Sequence, residues 1–459
     1  MGQSGTSETA EQASGDGVDE AVAQFDLFGM PIESAEVIEP PRGVVRAKKS
    51  LAEAEIEAET APTASIAAAT QSGQRRALRA QAHAEPASLW QDDTPPPDTT
   101  APAPADTPKK RRTRDILPAA PSPELLALAA ELPAQIRLGT STWSFPGWNG
   151  IVYGDEYSNS KLSREGLAAY GAHPLLKTVS IDRSFYQALS VTEYLRYAQQ
   201  VPEHFRFIVK APMTITDATV RAERGEPVSL NPCFLNAQMA TDEFVTPCLE
   251  GLGAKAGALV FQLSPLPDQM LAQPAVFIER LAEFLQALPT LPDGTCYAIE
   301  IRDATLLTPR FIRMLKTAGV RYCVGIHARM PDPQRQAAAL ALLDGEPAGP
   351  LIVRWSLHGG FKYEQAKAKY EPFNRLIDED PATRTALAEL AARYALAGQP
   401  VVIAINNKAE GSAPLSCVEL ARAIIATYAR IARERQLNNR APQTDEPTHE
   451  DRGAAEPAR

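Results

Sequence analysis

From Ile136 onward the chain alternates between short apolar runs and longer amphipathic stretches. The short runs are Ile136–Thr140, Lys177–Asp182, Phe205–Lys210, Ala258–Leu263, Cys296–Ile301, Val320–Ile326, Leu351–Trp355 and Val401–Asn406. Most are rich in β-branched or aromatic residues, which marks them as buried strands. Between them the apolar positions recur at helical spacing, as in Val191–Gln200, Pro274–Ala287, Thr308–Ala318, Pro381–Ala397 and Pro414–Gln436. Pro274 and Pro381 sit where a first-turn proline belongs. Eight strands alternating with helices predict an α/β fold, a (β/α)8 TIM barrel over residues 136–436. A doubly wound open sheet is the other architecture with this alternation. It normally carries a Gly-rich phosphate turn after its first strand, and Gly139–Trp148 (GTSTWSFPGW) is not GxGxxG.

Residues 1–133 break the pattern. They are rich in Ala, Pro, Glu, Thr and Ser, with runs such as DDTPPPDTT at 92–100. Such a segment buries too little apolar surface to offset the entropy of ordering, so a long disordered tail is expected. Residues 437–459 are expected to form a second polar tail. Lys109, Lys110, Arg111, Arg112 and Arg114 make a basic cluster that reads either as a solvated linker or as a weak contact for nucleic acid or another anion. One patch in the leading tail is unlike its surroundings: Gln24, Phe25, Asp26, Leu27 and Phe28. Apolar clusters in disorder often mark docking peptides. This one resembles the peptide by which bacterial replication and repair proteins dock on the DNA sliding clamp, with Phe25 in place of the first Leu. Gln24, Leu27 and Phe28 would be the contact residues. A fortuitous apolar cluster is the other reading.

Composition narrows the classes. The chain has 459 residues, a net charge of −10 and a pI near 5.3, which argues against a whole-surface basic footprint for nucleic acid. Its five cysteines are scattered, with no CxxC pair, as expected of buried thiols in a reducing compartment. There is no long apolar run and no apolar signal core, so a cytoplasmic protein without a membrane span is expected. The Gly2/Thr6 match to a myristoylation pattern has no basic support.

Barrel chemistry comes from the carboxyl ends of strands, where side chains alternate between the axis and the helices. With Val179, Ile181, Phe207, Val209, Ile299 and Ile301 facing the helices, Ser180, Asp182, Lys210, Gln262, Glu300 and Arg302 face the axis. Arg354, Asn406 and Asn407 follow from the seventh and eighth strands. Lys210, Arg302 and Arg354 suit an anionic ligand, with the arginines able to grip carboxylate or phosphate bidentately. The turn Gly411–Pro414 before a helix would add free N–H groups. Glu300 would be the general acid/base, assisted by Lys210 and Asp182, and Trp143 and Tyr186 would form an apolar wall. Each has a plainer alternative: a structural Glu300–Arg302 ion pair, a strand-end Lys210, turn-forming asparagines and core aromatics. His327 and His358 lack the spacing and companions of a metal site, so no metal ligands are assigned and the cofactor is left open.

Seven motifs, GTSTWSFPGW, TVSIDRSFYQ, PEHFRFIVKAPMTIT, GALVFQLSP, AIEIRD, IVRW and INNKAEGSAPLS, resemble in order those of the YecE-like family. The resemblance implies the TIM barrel and no established reaction. Glu300, Arg302, Lys210, Gln262, Arg354 and Asn407 stand at matching motif positions. Ser180 replaces the usual Glu, Asp182 the usual Asn, and Asp217 the usual His, which puts activity in this branch in question. Two readings follow. One is an enzyme acting on an anionic substrate, a phosphoester hydrolase in nucleic-acid repair or replication. The other is a non-catalytic anion-binding or adaptor protein.

Overall fold

The computed structural model describes residues 115–222, 226–345, 349–359 and 361–440, together with the backbone of 24–25 and 31–32. Eight parallel strands close into a barrel: β1 (Ile136–Thr140), β2 (Leu176–Ile181), β3 (Arg206–Lys210), β4 (Ala256–Gln262), β5 (Cys296–Glu300), β6 (Arg321–Ile326), β7 (Leu351–Trp355) and β8 (Val401–Ile405). Each pairs with its sequence neighbours, and β8 closes on β1 in the register Ile403↔Leu138 and Ile405↔Thr140. The outer layer holds α1 (Pro123–Glu131), α2 (Val191–Gln200), α3 (Thr246–Leu252), α4 (Pro274–Gln286), α5 (Pro309–Thr317), α6 (Pro333–Leu343), α7 (Pro381–Leu396) and α8 (Ala413–Arg440). Pro274, Pro309, Pro333 and Pro381 each open a helix, where the missing N–H costs nothing.

Two cores follow from strand alternation. Val179, Ile181, Phe207, Val209, Ile299 and Ile301 point outward into the large barrel–helix core, as the pattern predicted. The lower interior is a small separate cluster of Ile208, Ala258, Val260, Ala298, Cys323, Ile352, Val402 and Ala404. Burying each large aliphatic side chain contributes about 1.5–3 kcal/mol. Above this apolar plug the inward positions turn polar, so the plug is the floor of the candidate site.

Three features depart from the expected layout. A helix precedes residue 133: Ser122 caps α1 by accepting from Leu125 N, and Leu125 and Leu128 pack on the barrel core. Two well-spaced leucines and a cap suffice where a neighbouring surface is present. At the other end α8 continues past Gln436 to Arg440. Nothing in Leu437–Arg440 breaks a helix before Pro442, which disfavours helix in the residue preceding it. Between β3 and β4 an antiparallel hairpin, Thr219–Arg221 with Pro227–Leu230, leaves the barrel. Asp217 anchors it, accepting from Thr219 N at 2.9 Å and Arg221 Nε at 2.7 Å.

Among the described residues no helix is long and apolar enough to cross a membrane. All five cysteines are free thiols. In the leading segment Gln24–Phe25 pairs antiparallel with Pro31–Ile32, while Leu27 and Phe28 lie outside the described residues, as do Lys109 to Arg114.

Candidate functional site

Seven of the sequence-selected residues meet at the carboxyl end of the barrel. Arg354, on β7, is the hub. Its Nη1 donates to Glu300 Oε2 at 2.6 Å and Gln262 Oε1 at 3.0 Å. Its Nη2 donates to both oxygens of Asp182, each at 2.9 Å. Arg302 Nη2 donates to Gln262 Oε1 at 2.9 Å and lies 2.8 Å from Glu300 Oε1. Ser180 Oγ donates to Asp182 Oδ1 at 2.6 Å. Lys210 completes the group, with Nζ 3.6 Å from the centre of the Phe185 ring.

Strand ends explain the convergence. β2, β3, β4, β5 and β7 each turn one polar side chain to the axis in their last turn of pleat. β6 contributes Gly325 at that level, where a Cβ would stand 3.4 Å from Glu300 Oε1. The absent side chain leaves the space that Glu300 and Arg302 occupy. Ser184 Oγ donates to Lys210 O at 2.6 Å, tying the turn after β2 to the end of β3.

Glu300, Lys210, Arg302 and Arg354 are buried, whereas the Asp182 side chain is 31% exposed. Approach from solvent therefore meets Asp182 first. Burial alone would raise the Glu300 carboxyl, but the charges of Arg302 and Arg354 overcome it and hold the group down at about 2. Burial works against the charge on Arg354 too, yet Asp182 and Glu300 raise its affinity for the proton above the ordinary value. Burial lowers Lys210 to about 7, and the opposing charge of Asp182 does not restore it. His327, just beyond β6, is pushed down to about 3 by burial and by Arg302.

The geometry redistributes the expected roles. Glu300 is held ionised between two arginines, the arrangement of a structural ion pair, and near neutral pH it has no proton to give. Lys210 is the member of the cluster whose proton is exchangeable there. Asn407 does not join the group: its Oδ1 accepts from Ala413 N at 2.8 Å, capping α8, and from Trp148 Nε1 at 3.3 Å. Asn406 Oδ1 accepts from Lys408 N at 3.0 Å and shapes the same turn. The N–H groups expected to be free at Gly411 and Ala413 are thus taken, since Gly411 N donates to Asn407 O at 2.8 Å. Trp143 is buried edge-to-face on Tyr197, as a core aromatic. Tyr186 is half-buried against Phe185.

Sequence reasoning passed over Phe185 and Gly325. Phe185 follows Asp182 in the turn that carries Tyr186, and the inward parity of Gly325 could have flagged it. A depression of about 640 Å3 between the loops after β1 and β7 is lined by Pro146, Glu156, Tyr157, Pro372 and Asn374 among others, and no residue of the barrel-mouth cluster lines it. Among the described residues no group of three or more His, Cys, Asp or Glu is placed to hold a metal.

A closed eight-stranded barrel with a buried carboxylate–arginine–lysine cluster at the carboxyl end defines the class. The chain belongs to the family described as protein of unknown function DUF72, whose model matches residues 137–443; this is the YecE-like family that its motifs resemble. A DUF72 family protein from Thermotoga maritima MSB8 is 17% identical with a TM-score of 0.42, over 62% of this chain and 98% of that one. A DUF72 family protein from Enterococcus faecalis V583 is 16% identical with a TM-score of 0.39, over 63% of this chain and 97% of that one. No curated protein matches.

Proposed function

We propose that this chain is a barrel enzyme whose mouth takes a small anionic substrate. One observation carries the reading. Two carboxylates, Asp182 and Glu300, face three basic side chains, Arg302, Arg354 and Lys210, in one buried cluster. In addition, Arg302 Nε and Nη1 and Arg354 Nε are buried without a hydrogen-bond acceptor. Unsatisfied buried donors of charged groups cost about 1–3 kcal/mol each, so an incoming phosphate or carboxylate would relieve them. The substrate would enter past Asp182, with Tyr186 at the rim. Lys210 would move the proton, Glu300 would position the arginines, and Gln262 would orient both guanidinium groups. Phosphoester hydrolysis is the reaction class we favour, and the cytoplasm is the compartment that free thiols suit.

The test is thermal denaturation in inorganic phosphate, together with turnover of phosphoester and nucleic-acid substrates with and without divalent metal. Stabilisation by phosphate that vanishes in Arg302→Met supports the reading. Equal turnover by wild type and Lys210→Met ends the catalytic assignment. A second reading, a non-catalytic adaptor, is favoured by the extensive internal pairing of Glu300 and Arg354. It is tested by capture of a DNA sliding clamp, with Leu27→Ala/Phe28→Ala as the negative variant.

A further inference from the structure

Lys210 is held unlike any exposed lysine among the described residues. Its side chain is 1% exposed, and its amine rests on the face of Phe185. The charged groups facing it are Asp182, Glu300, Arg302 and Arg354. Both carboxylates are already engaged, Glu300 by Arg354 and Arg302, and Asp182 by Arg354 and Ser180. Two carboxylates and two arginines cancel, so the cluster is electrically closed when Lys210 carries no proton. Burial and a balanced set of charges around the amine favour the uncharged, nucleophilic form, against the pull of the Phe185 face toward the ammonium. Protonated, the same lysine leaves one positive charge in excess.

We propose that Lys210 is a covalent nucleophile that forms an imine with an aldehyde or ketone whose anionic group is taken by the arginines. The inference rests on the anionic-substrate reading, not on phosphoester hydrolysis: the anionic group is the handle, and a carbonyl is the reacting group. The Nζ lone pair attacks the carbonyl carbon and forms the C–N bond, while the carbonyl π pair moves to oxygen. That oxygen takes one proton, and Nζ releases one. The carbinolamine hydroxyl then takes a second proton and leaves as water, as the remaining N–H proton departs and C=N forms. Amine plus carbonyl gives imine plus water, with no oxidant or reductant. Asp182, partly exposed and the carboxylate that most strongly favours the protonated lysine, is placed to pass these protons to and from solvent. A neutral amine near pH 7 follows from the lowering of Lys210 already described.

The experiment incubates the full chain with glycolaldehyde phosphate or glycolaldehyde at pH 7, adds sodium borohydride, and maps the modified lysines by peptide mass spectrometry. Reduction turns a transient imine into a stable secondary amine. The expected result is modification of Lys210 at least about tenfold ahead of exposed lysines such as Lys369, as the low fraction of free amine at an ordinary lysine predicts. Inorganic phosphate should slow labelling by the phosphorylated probe and not by the uncharged one. Labelling of exposed lysines with Lys210 unmodified overturns the proposal, and it does so whether or not phosphate stabilises the fold. Lys210 labelling by both probes without phosphate competition keeps the imine and removes the anion site. Because wild-type protein gives the primary result, a Lys210→Met variant that failed to fold would not decide it.

Discussion

Arg354 reaches from β7 to both oxygens of Asp182 beyond β2, each at 2.9 Å, across the mouth of the barrel. β8 and β1 lie between those strands. The bond therefore spans the axis and closes the polar layer over the apolar plug. Asp182→Asn keeps the shape and removes the charge. We expect a loss of about 1–3 kcal/mol in urea denaturation, because Asp182 is partly solvated and Arg354 keeps Glu300. An unchanged midpoint would show that the span contributes nothing to stability.

Glu300 lies deeper and holds both arginines. Replacing it with Gln leaves two buried guanidinium groups facing an uncharged amide. Removing one partner of a buried pair costs about 3–5 kcal/mol, so Glu300→Gln should be the more damaging of the two isosteric changes. The order of the two midpoints, Asp182→Asn above Glu300→Gln, is the measurement.

Much of this layer was legible because parallel strands alternate strictly. The outward parity of Val179, Ile181, Ile299 and Ile301 placed Asp182, Glu300 and Arg302 on the axis without coordinates. Parity says which side a residue faces, and nothing about its height on the barrel or its partner. That is why the arginines read as open anion binders, whereas Arg354 is engaged by Asp182, Glu300 and Gln262. Asn407 was ambiguous for a related reason. A strand-end asparagine before a helix serves equally as a ligand contact or a cap, and only the 2.8 Å bond from Ala413 N decides for the cap. The hairpin at Thr219–Leu230 lay hidden because its strands are too short to carry a period.

The buried basic and imidazole groups set the pH profile. Lys210 has a folded value of about 7 against 10.5 when unfolded, so between these values the unfolded chain binds more protons. Stability from this group therefore rises with pH across that window. His173 and His327, at about 4 and 3 against 6.5, act with the same sign at lower pH, and Glu300, at about 2 against 4.5, lower still. The urea midpoint should rise from pH 4 to 6.5. It should rise again from pH 7 to about 8, before the four raised thiols, whose ordinary value is 9, begin to oppose it. Loss of the upper rise in Lys210→Met would assign it to this residue.

Thiol chemistry checks the packing independently. Cys248, Cys323 and Cys417 are fully buried, and burial raises each thiol. Burial pushes Cys296 up to about 12. The thiolate is the reactive form, so Cys248, Cys323 and Cys417 should resist a disulfide reagent such as DTNB at pH 8, and Cys296, half-buried with its thiol raised, should react slowly. Cys233, half-buried outside the barrel strands, should react promptly. Prompt release of more than about one equivalent from native protein would mean that the barrel opens readily.

Ser180 offers the sharpest control over the charge balance. It faces the axis, buried, with Oγ 2.6 Å from Asp182 Oδ1. Ser180→Glu would bring a third carboxylate to the three basic side chains and match them. Lys210 should then regain an ordinary, protonated state at neutral pH, since an opposite charge close by favours the charged form. Stabilisation by phosphate should weaken, and the rise in stability from pH 7 to about 8 should flatten. A bulkier side chain at a packed position also costs about 1–3 kcal/mol through overpacking alone. Ser180→Gln adds nearly the same volume without the charge, and therefore separates the two effects. If both variants shift the pH profile and the phosphate response equally, the balance of charges around Lys210 is not what controls the site.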